Sequence, residues 1–559
     1  MLRTSSLQAL FSTERQQASV RSQQRLQIIA NKVLVGDPAA QFLPQATIKL
    51  DRGDRATFNA IRSWVKECSH QHDSCVSRES DLPARLIDLS YLSAEARYLR
   101  LYIPKENEGG RYVALSYCWG YSQPVTTSDN NLQQHLHKIR YDNLPQTLQD
   151  AVKTTKALGI KYLWVDALCI VQDSQRDKQT QMAEMAKIYQ NAFFTIVAAC
   201  STSSAEGFFQ VRDGMPPALE LPVGCLEGEI GNIALLPSYE GLRHEPLHDR
   251  AWTLQEIILS RRLLIFGKDS VGWKCERMDR GMHSWTDWNG YCASTGLTTI
   301  RLAPGGNIIR PSLSIYSANI SSFNNPSSLA ETQPYIFRLW RDVVKDYSTR
   351  SMTNEGDKLN AIAGIVAYFQ DVMGGTYLAG LWKKHLLHEL CWQVRDARRP
   401  ARTRAPSWSW MALDGPVAFH TEHCEWYSPM VDVLSCTVTP VSPTAPFSSV
   451  TGGVLVLDGH VSSTRPSVFA TKLLSPEDFS GFGMDCDQQI DRNDLYMGVA
   501  RCLATTAERG IWSTGQEFVW GLILRPLNNE PGRTEVYKRV GWFNTAIWNP
   551  KQQRVITII

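Results

Sequence analysis

The chain has no G-x-x-x-x-G-K-[ST] loop, no G-x-G-x-x-G after a strand pattern and no G-x-S-x-G elbow. A P-loop nucleotidase, a Rossmann dinucleotide enzyme and a serine α/β-hydrolase therefore lack their usual marks. No window reaches the ~18 consecutive apolar residues of a membrane span. Charge of one sign is also scarce, with a formal net charge of +3 over 559 residues. That balance argues neither for nor against a nucleic-acid partner; a membrane and DNA are not expected partners. No repeat period is visible. The 13 cysteines are an odd set without short-spaced pairs, and no secretory signal precedes them. They point to a reducing, cytoplasmic setting rather than a disulfide scaffold. Near the start, Arg3, Arg15, Arg21, Arg25 and Lys32 stand against Glu14, the bias of a mitochondrial presequence or, equally, of a polar tail.

What the chain does have is length, tryptophan and periodicity. Its length is too great for one simple core, so two or three domains are expected. The 17 tryptophans cluster in contexts such as "SWSW" and "VGWFNTAIW", and large aromatics of this kind read as core packing. Residues 1–60 form a polar, Gln-rich arm and 61–110 a lead-in segment closed by Gly109-Gly110. From residue 111 the pattern sharpens. "YVALSYCW" (112–119) reads as a buried strand. "LPQTLQDAVKTTKALG" places Leu148, Ala151, Val152, Thr155 and Leu158 on one helical face, with Gly159 as its stop. "YLWVDALCIVQDS" (162–174) reads as the next strand, "DKQTQMAEMAKIYQNA" as a helix and "FFTIVAAC" as a third strand. That succession is the βαβαβ signature of a parallel sheet. "RAWTLQEIILS" reads as a helix, with "RRLLIFG" and "VGWKCE" as two further strands. A Ser/Asn-rich stretch (about 303–332) reads as an insertion or linker, 333–404 as helical and 405–559 as β-rich.

Four of these blocks, "YVALSYCWG", "LPQTLQDAVKTTKALGIKYLWVDALCIVQDS", "MAEMAKIYQNAFFTIVA" and "RAWTLQEIILSRRLLIF", resemble the successive blocks of the fungal heterokaryon-incompatibility (HET) domain. The flanks "CSHQHDSC", "PARLIDL", "GDKLNAIAGI", "YLAGLW" and "APSWSWMALDG" resemble those of stand-alone members. The resemblance implies an α/β fold over 111–290, a TIR-like or flavodoxin-like parallel sheet with helices on both faces. It also implies non-self recognition and cell-death signalling. Some TIR relatives cleave NAD with a glutamate, so NAD enters as a substrate, and no cofactor is expected. Some stand-alone members lie in biosynthetic gene clusters. A group resembling them makes arginine-containing cyclodipeptides from aminoacyl-tRNA, with tRNA then a partner. A non-enzymatic module that signals by self-association is the third reading.

Ligands of an open parallel sheet bind beyond the carboxyl ends of its strands. That rule selects Ser116, Trp119 and Gly120 after the first strand, and Cys169, Gln172 and Asp173 after the second. Asp166 lies three residues before Cys169. On an unbroken strand, residues an odd number apart face opposite sides, so at most one of the two faces a site. A buried carboxylate bonded to backbone amides or a core arginine is the plainer account of Asp166, and core packing that of Cys169. In "RAWTLQE", Arg250 precedes a helix on which Trp252, Gln255 and Glu256 stand at i, i+3 and i+4. Glu256 is the candidate base or oxocarbenium stabiliser, with a salt bridge to Arg250, Arg261 or Arg262 as its bland alternative. Glu184 is a lesser candidate. For acyl transfer, Ser116 or Cys169 would be the nucleophile.

No metal is expected. The nearest candidates are Cys68, His72 and Cys75 in "CSHQHDSC", a C-x3-H-x2-C run with His70 as a fourth donor, crowded for one short loop. "HEPLH" (244–248) fits the zinc-protease pattern in letters only, because Pro246 disfavours the helix that motif needs. "HLLHE" (385–389) reads as a solvated helix face, and "RDARRPARTR" (395–404) as a solvated loop, with contact to phosphate or RNA as its alternative.

Overall fold

The computed structural model describes residues 29–32, 52–72, 75, 80–121, 125–210, 219–224, 230–236, 245–268, 271–275, 279–281, 329–419, 424–463, 482–485, 491, 493–504, 517–527, 535–545, 548, 550 and 552–559. Most of the expected N-terminal arm and of the insertion at 303–332, as well as His244, lie outside them.

A nine-stranded mixed sheet organises the first half. In chain order its strands are β1 (Leu86–Asp88), β2 (Tyr98–Tyr102), β3 (Tyr112–Ser116), β4 (Ile139–Arg140), β5 (Tyr162–Trp164), β6 (Phe194–Val197), β7 (Leu263–Phe266), β8 (Val271–Lys274) and β9 (Asp279–Gly281). They lie side by side as β9-β8-β7-β6-β3-β5-β1-β2-β4. Only the centre is parallel: β3 runs parallel to β5 and β6, and β7 to β6. The expected parallel sheet is thus correct for its core and incomplete at its edges. There β8 folds back on β7, and β1 packs antiparallel on β5. The "LIDL" lead-in supplies β1, so the segment before residue 111 is part of the sheet. All residues of β3, β5, β6 and β7 are buried, as strands covered on both faces must be.

The crossovers follow the periodicity of the sequence. Helix α1 (Arg55–Gln71) begins where the Asp54 side chain accepts the Thr57 amide at 2.6 Å. Helix α2 (Gln146–Ala157) buries Leu148, Ala151, Val152 and Thr155, and Gly159 stops it at φ +74°. Helix α4 (Gln175–Asn191) buries Met185, Ile188 and Tyr189. Between them lies a departure from expectation. The stretch 162–174 is a strand only to Trp164, after which Asp166–Cys169 form the short helix α3. Asp166 is the cause within its own side chain: Oδ1 accepts the Ala167 amide at 2.7 Å, a local bond that competes with the sheet ladder.

Helix α5 (Ala251–Leu259) precedes β7, and α6 (Leu329–Thr349) and α7 (Asn360–Met373) follow. The C-terminal strands are β10 (Cys424–Pro429), β11 (Val431–Pro440), β12 (Val450–Ser462), β13 (Phe482–Met484), β14 (Leu495–Ala504), β15 (Glu517–Pro526), β16 (Val536–Thr545) and β17 (Gln552–Ile558). They run β10-β14-β15-β16-β17-β12-β11, with β13 on β16. Val461 and Ser462 of β12 also pair with Met497 and Tyr496 of β14, closing five strands on one another at one end. Trp340, Trp382, Trp392, Trp408, Trp410 and Trp520 are fully buried in this half, which is the core role their sequence contexts suggest. "HLLHE" departs from its reading as a solvated face. Glu389 is fully buried, accepting the Trp340 indole N–H at 2.9 Å and the Trp382 amide. "RDARRPARTR" is exposed over most of its length, but Arg404 is buried and paired with Asp414.

Candidate functional site

Strand β3 ends at Ser116, and its alternation turns that side chain toward α5. Ser116 Oγ donates to Glu256 Oε2 at 2.5 Å, and both residues are buried. Tyr189 on α4 donates its hydroxyl to the Leu115 carbonyl at 3.1 Å and stands within hydrogen-bonding reach of Glu256. Beyond β3 the chain runs through Tyr117, Cys118 and Trp119 to Gly120, which takes φ +81°. A Cβ at Gly120 would stand 2.5 Å from that of Ser203, so the turn has room for glycine alone. This turn swings Trp119 over the end of β5, where its indole N–H donates to Asp166 Oδ2 at 2.8 Å.

Two carboxyl groups from different elements thus converge at the carboxyl ends of β3 and β5. Burial raises the Glu256 carboxyl to about 7. The Ser116 bond opposes the rise, the Asp166 charge adds to it, and Arg250 and Tyr189 oppose it. Burial likewise raises Asp166, against the Trp119 indole, the Ala167 amide and the Arg250 charge. The Asp166 carboxyl is enclosed by those donors while the residue itself keeps part of its surface. Trp119, Gln172 and Arg250 are also partly exposed, and Gly120 is exposed. The site therefore has an accessible rim over a dry Ser116–Glu256 floor.

The remaining candidates divide. Arg250 is close enough to act electrostatically on Asp166, Glu256 and Cys118. Neither Arg261 nor Arg262 is the partner of Glu256; Arg262 donates instead to the carbonyls of Phe193 and Cys75. Gln172 Nε2 donates to the Asp166 carbonyl at 3.0 Å and fastens the loop beneath the rim. Cys169 turns into the core, where its sulfur accepts the Val165 amide at 3.4 Å and burial pushes its thiol up to about 12. Asp173 is exposed and caps the Asp129 amide at 2.9 Å. Glu184 is a surface partner of Lys187.

The shared face expected of Trp252, Gln255 and Glu256 splits. Gln255 turns to α7, where a Cβ on Gly364 would meet its Oε1 at 2.9 Å, and Trp252 bonds to Asp357. Residues 255 and 256 are about 100° apart around a helix, so only Glu256 reaches the sheet. Tyr117, Cys118 and Tyr189 belong to the site although no sequence reading selected them. The strand-end rule that found Ser116 and Trp119 also covers the two residues between them, whereas Tyr189 carried no signal beyond core spacing. Of "HEPLH", Glu245–His248 are described: Pro246–Asp249 form a 3₁₀ turn, and Glu245 accepts the Lys268 amide at 2.7 Å.

Fold and site together define a mixed α/β protein with a buried acid pair at the ends of its central parallel strands. Residues 112–256 match the family of the heterokaryon incompatibility protein (HET), a span running from the first residue of β3 to Glu256 itself. Residues 112–256 of the chain are a HET domain. No curated protein and no solved structure matches it significantly. Among the described residues no helix is long and apolar enough to cross a membrane.

Proposed function

We propose that this HET-domain protein serves fungal non-self recognition and cell-death signalling by acting on NAD or a related nucleotide at the Ser116–Glu256–Asp166 site. The observation that carries the reading is Glu256, a buried carboxyl raised to about 7 at the strand ends. A carboxyl group poised near neutrality can exchange protons with a substrate or, once ionised, stabilise developing positive charge at a ribose. The parallel core supports the nucleotide assignment. In chain order its strands lie second-first-third-fourth, the order of flavodoxin-like sheets, whose ligands sit at the reversal between the first and third strands. Ser116 stands at that reversal. Trp119 offers an aromatic plane and Arg250 a cation for a phosphate at the rim.

One observation favours a second reading. A serine hydroxyl bonded to a near-neutral carboxyl is a nucleophile with its base in place. This is the arrangement that aminoacyl transfer from charged tRNA would need, as in an arginine-containing cyclodipeptide synthase.

Incubation of the purified protein with NAD, and separately with arginyl-tRNA, separates the two. Nicotinamide release that falls by about 10²–10⁴-fold in Glu256→Gln supports the first. A cyclic dipeptide formed only with charged tRNA, and abolished in Ser116→Ala, supports the second. Neither product at any protein concentration returns the site to a structural role and leaves the non-enzymatic, self-associating module.

A further inference from the structure

We propose that Cys68, His72, Cys75 and Cys275 form a structural zinc site that fastens α1 to the far half of the nine-stranded sheet. The thiol and imidazole donor atoms of these four residues all lie within 4.8 Å of one another. The contact between Cys275 Sγ and His72 Nδ1 is 3.4 Å. Tetrahedral zinc with three sulfurs at about 2.3 Å and a nitrogen at about 2.0–2.1 Å separates its ligand atoms by roughly 3.5–3.8 Å. The observed cluster needs at most about 1 Å of inward adjustment to meet that geometry.

The chain builds the site from three short-range ligands and one distant one. Cys68 and His72 are four residues apart at the end of α1, on one helical face. His72 leaves the helix in an extended conformation, and its carbonyl accepts the Cys75 amide at 2.8 Å, turning Cys75 back toward Cys68. Cys275 directly follows β8, some two hundred residues later in the chain. The crowding that four ligands in one loop would suffer does not arise. His70, the fourth donor suggested by the sequence, turns away, its Nδ1 at 2.8 Å from the Lys66 carbonyl.

The surroundings match the charge the ion would bring. Three thiolates and Zn²⁺ carry a net charge of −1, which a buried site must offset. Arg262 is 3% exposed, donates to the Cys75 carbonyl and exerts its positive charge on Cys68. The guanidinium also donates to the Phe193 carbonyl at 2.8 Å, which holds it in place. All three sulfurs are buried. With four protein donors there is no open position for substrate, so the site is of the closed, structural kind. On binding, the three thiols release their protons to solvent, and His72 binds through its neutral imidazole.

The site is independent of the Glu256 chemistry and is tested by metal content. Full-length protein purified under reducing conditions from zinc-supplemented cells is expected to hold about one zinc per chain by mass-spectrometric metal analysis. Cys275→Ser and Cys68→Ser are expected to lose at least nine-tenths of it, while His70→Asn and Cys436→Ser retain it. In case the two serine variants fail to fold, cobalt exchange into wild-type protein provides a separate readout. It should give an intense thiolate-to-cobalt charge-transfer band with the visible pattern of a tetrahedral ion. Zinc below about a tenth per chain, iron in its place, a disulfide among these cysteines or an octahedral cobalt spectrum would each overturn the assignment.

Discussion

Ser116 and Glu256 share a 2.5 Å hydrogen bond although 140 residues separate them and neither is more than 6% exposed. One comes from the end of the first central parallel strand and the other from the helix leading into the last. A carboxyl group placed there is charged only at a cost, and its protonation links stability to pH.

Glu256 is raised by burial from 4.5 to about 7 in the folded protein. Between those values the unfolded chain has lost the proton that the folded chain keeps. Stability from this group is therefore fully present below pH 4.5 and declines as pH rises to about 7. At about 1.4 kcal/mol per pH unit, the decline amounts to roughly 3 kcal/mol. Glu389, raised by burial to about 8, acts with the same sign and extends the decline. Urea unfolding of wild type and Glu256→Gln at pH 5, 6, 7 and 8 should show the shallower dependence in the variant. Identical slopes would falsify the assignment of Glu256 as a buried titrating group.

Asp166→Asn leaves one acceptor oxygen for two donors, the Trp119 indole and the Ala167 amide, so one of the two bonds is lost; it also removes a negative charge that raises Glu256. The donor left without an acceptor is expected to cost about 1–3 kcal/mol of stability. The Glu256 window should move to lower pH, and any pH–rate profile of NAD cleavage should move with it. A profile that stays in place would mean the two carboxyls do not interact.

Gly120→Ala places a side chain at φ +81° with its Cβ 2.5 Å from that of Ser203. The backbone strain alone costs about 1–2 kcal/mol, and the contact adds to it. Denaturant titration should show Ser203→Gly relieving the contact but not the strain, so the double variant recovers only part of the loss.

Arg539 pairs with Asp485 at 2.9 Å, donates to the Leu390 and Trp392 carbonyls and lies 3.3 Å over the Trp392 ring, wholly buried. Arg539→Met leaves the Asp485 carboxylate alone in the core and should destabilise the protein by about 3–5 kcal/mol. Combining it with Asp485→Leu should recover much of that loss in thermal unfolding, because the strain lies in the unpaired charge rather than in the lost bonds.

Much of the central sheet was legible because its signals are local. Period and stop residues located α2 and α4, and buried aromatic and β-branched runs located β3, β6 and β7. The strand-end rule selected Ser116 and Trp119, and the "RAWTLQE" block supplied Glu256. What failed was the assumption of an unbroken strand through Asp166. There a side-chain bond to the next amide outweighed the propensity of its neighbours, so the separation of Asp166 and Cys169 arises from a strand-to-helix change rather than from alternation. The shared face of Trp252, Gln255 and Glu256 also failed, because spacing along a helix says nothing of which neighbour covers each side.

Periodicity and residue type, which act over one or two turns of chain, determined the elements, their order and the family blocks that 112–256 carries. Only the tertiary structure decided the partners. It brought Glu256 to Ser116, Trp119 to Asp166 and Cys275 to Cys68, His72 and Cys75. Contacts between residues 47 to some two hundred positions apart depend on how whole elements pack, and burial of that packed interior is what moves a carboxyl from its ordinary range to about 7.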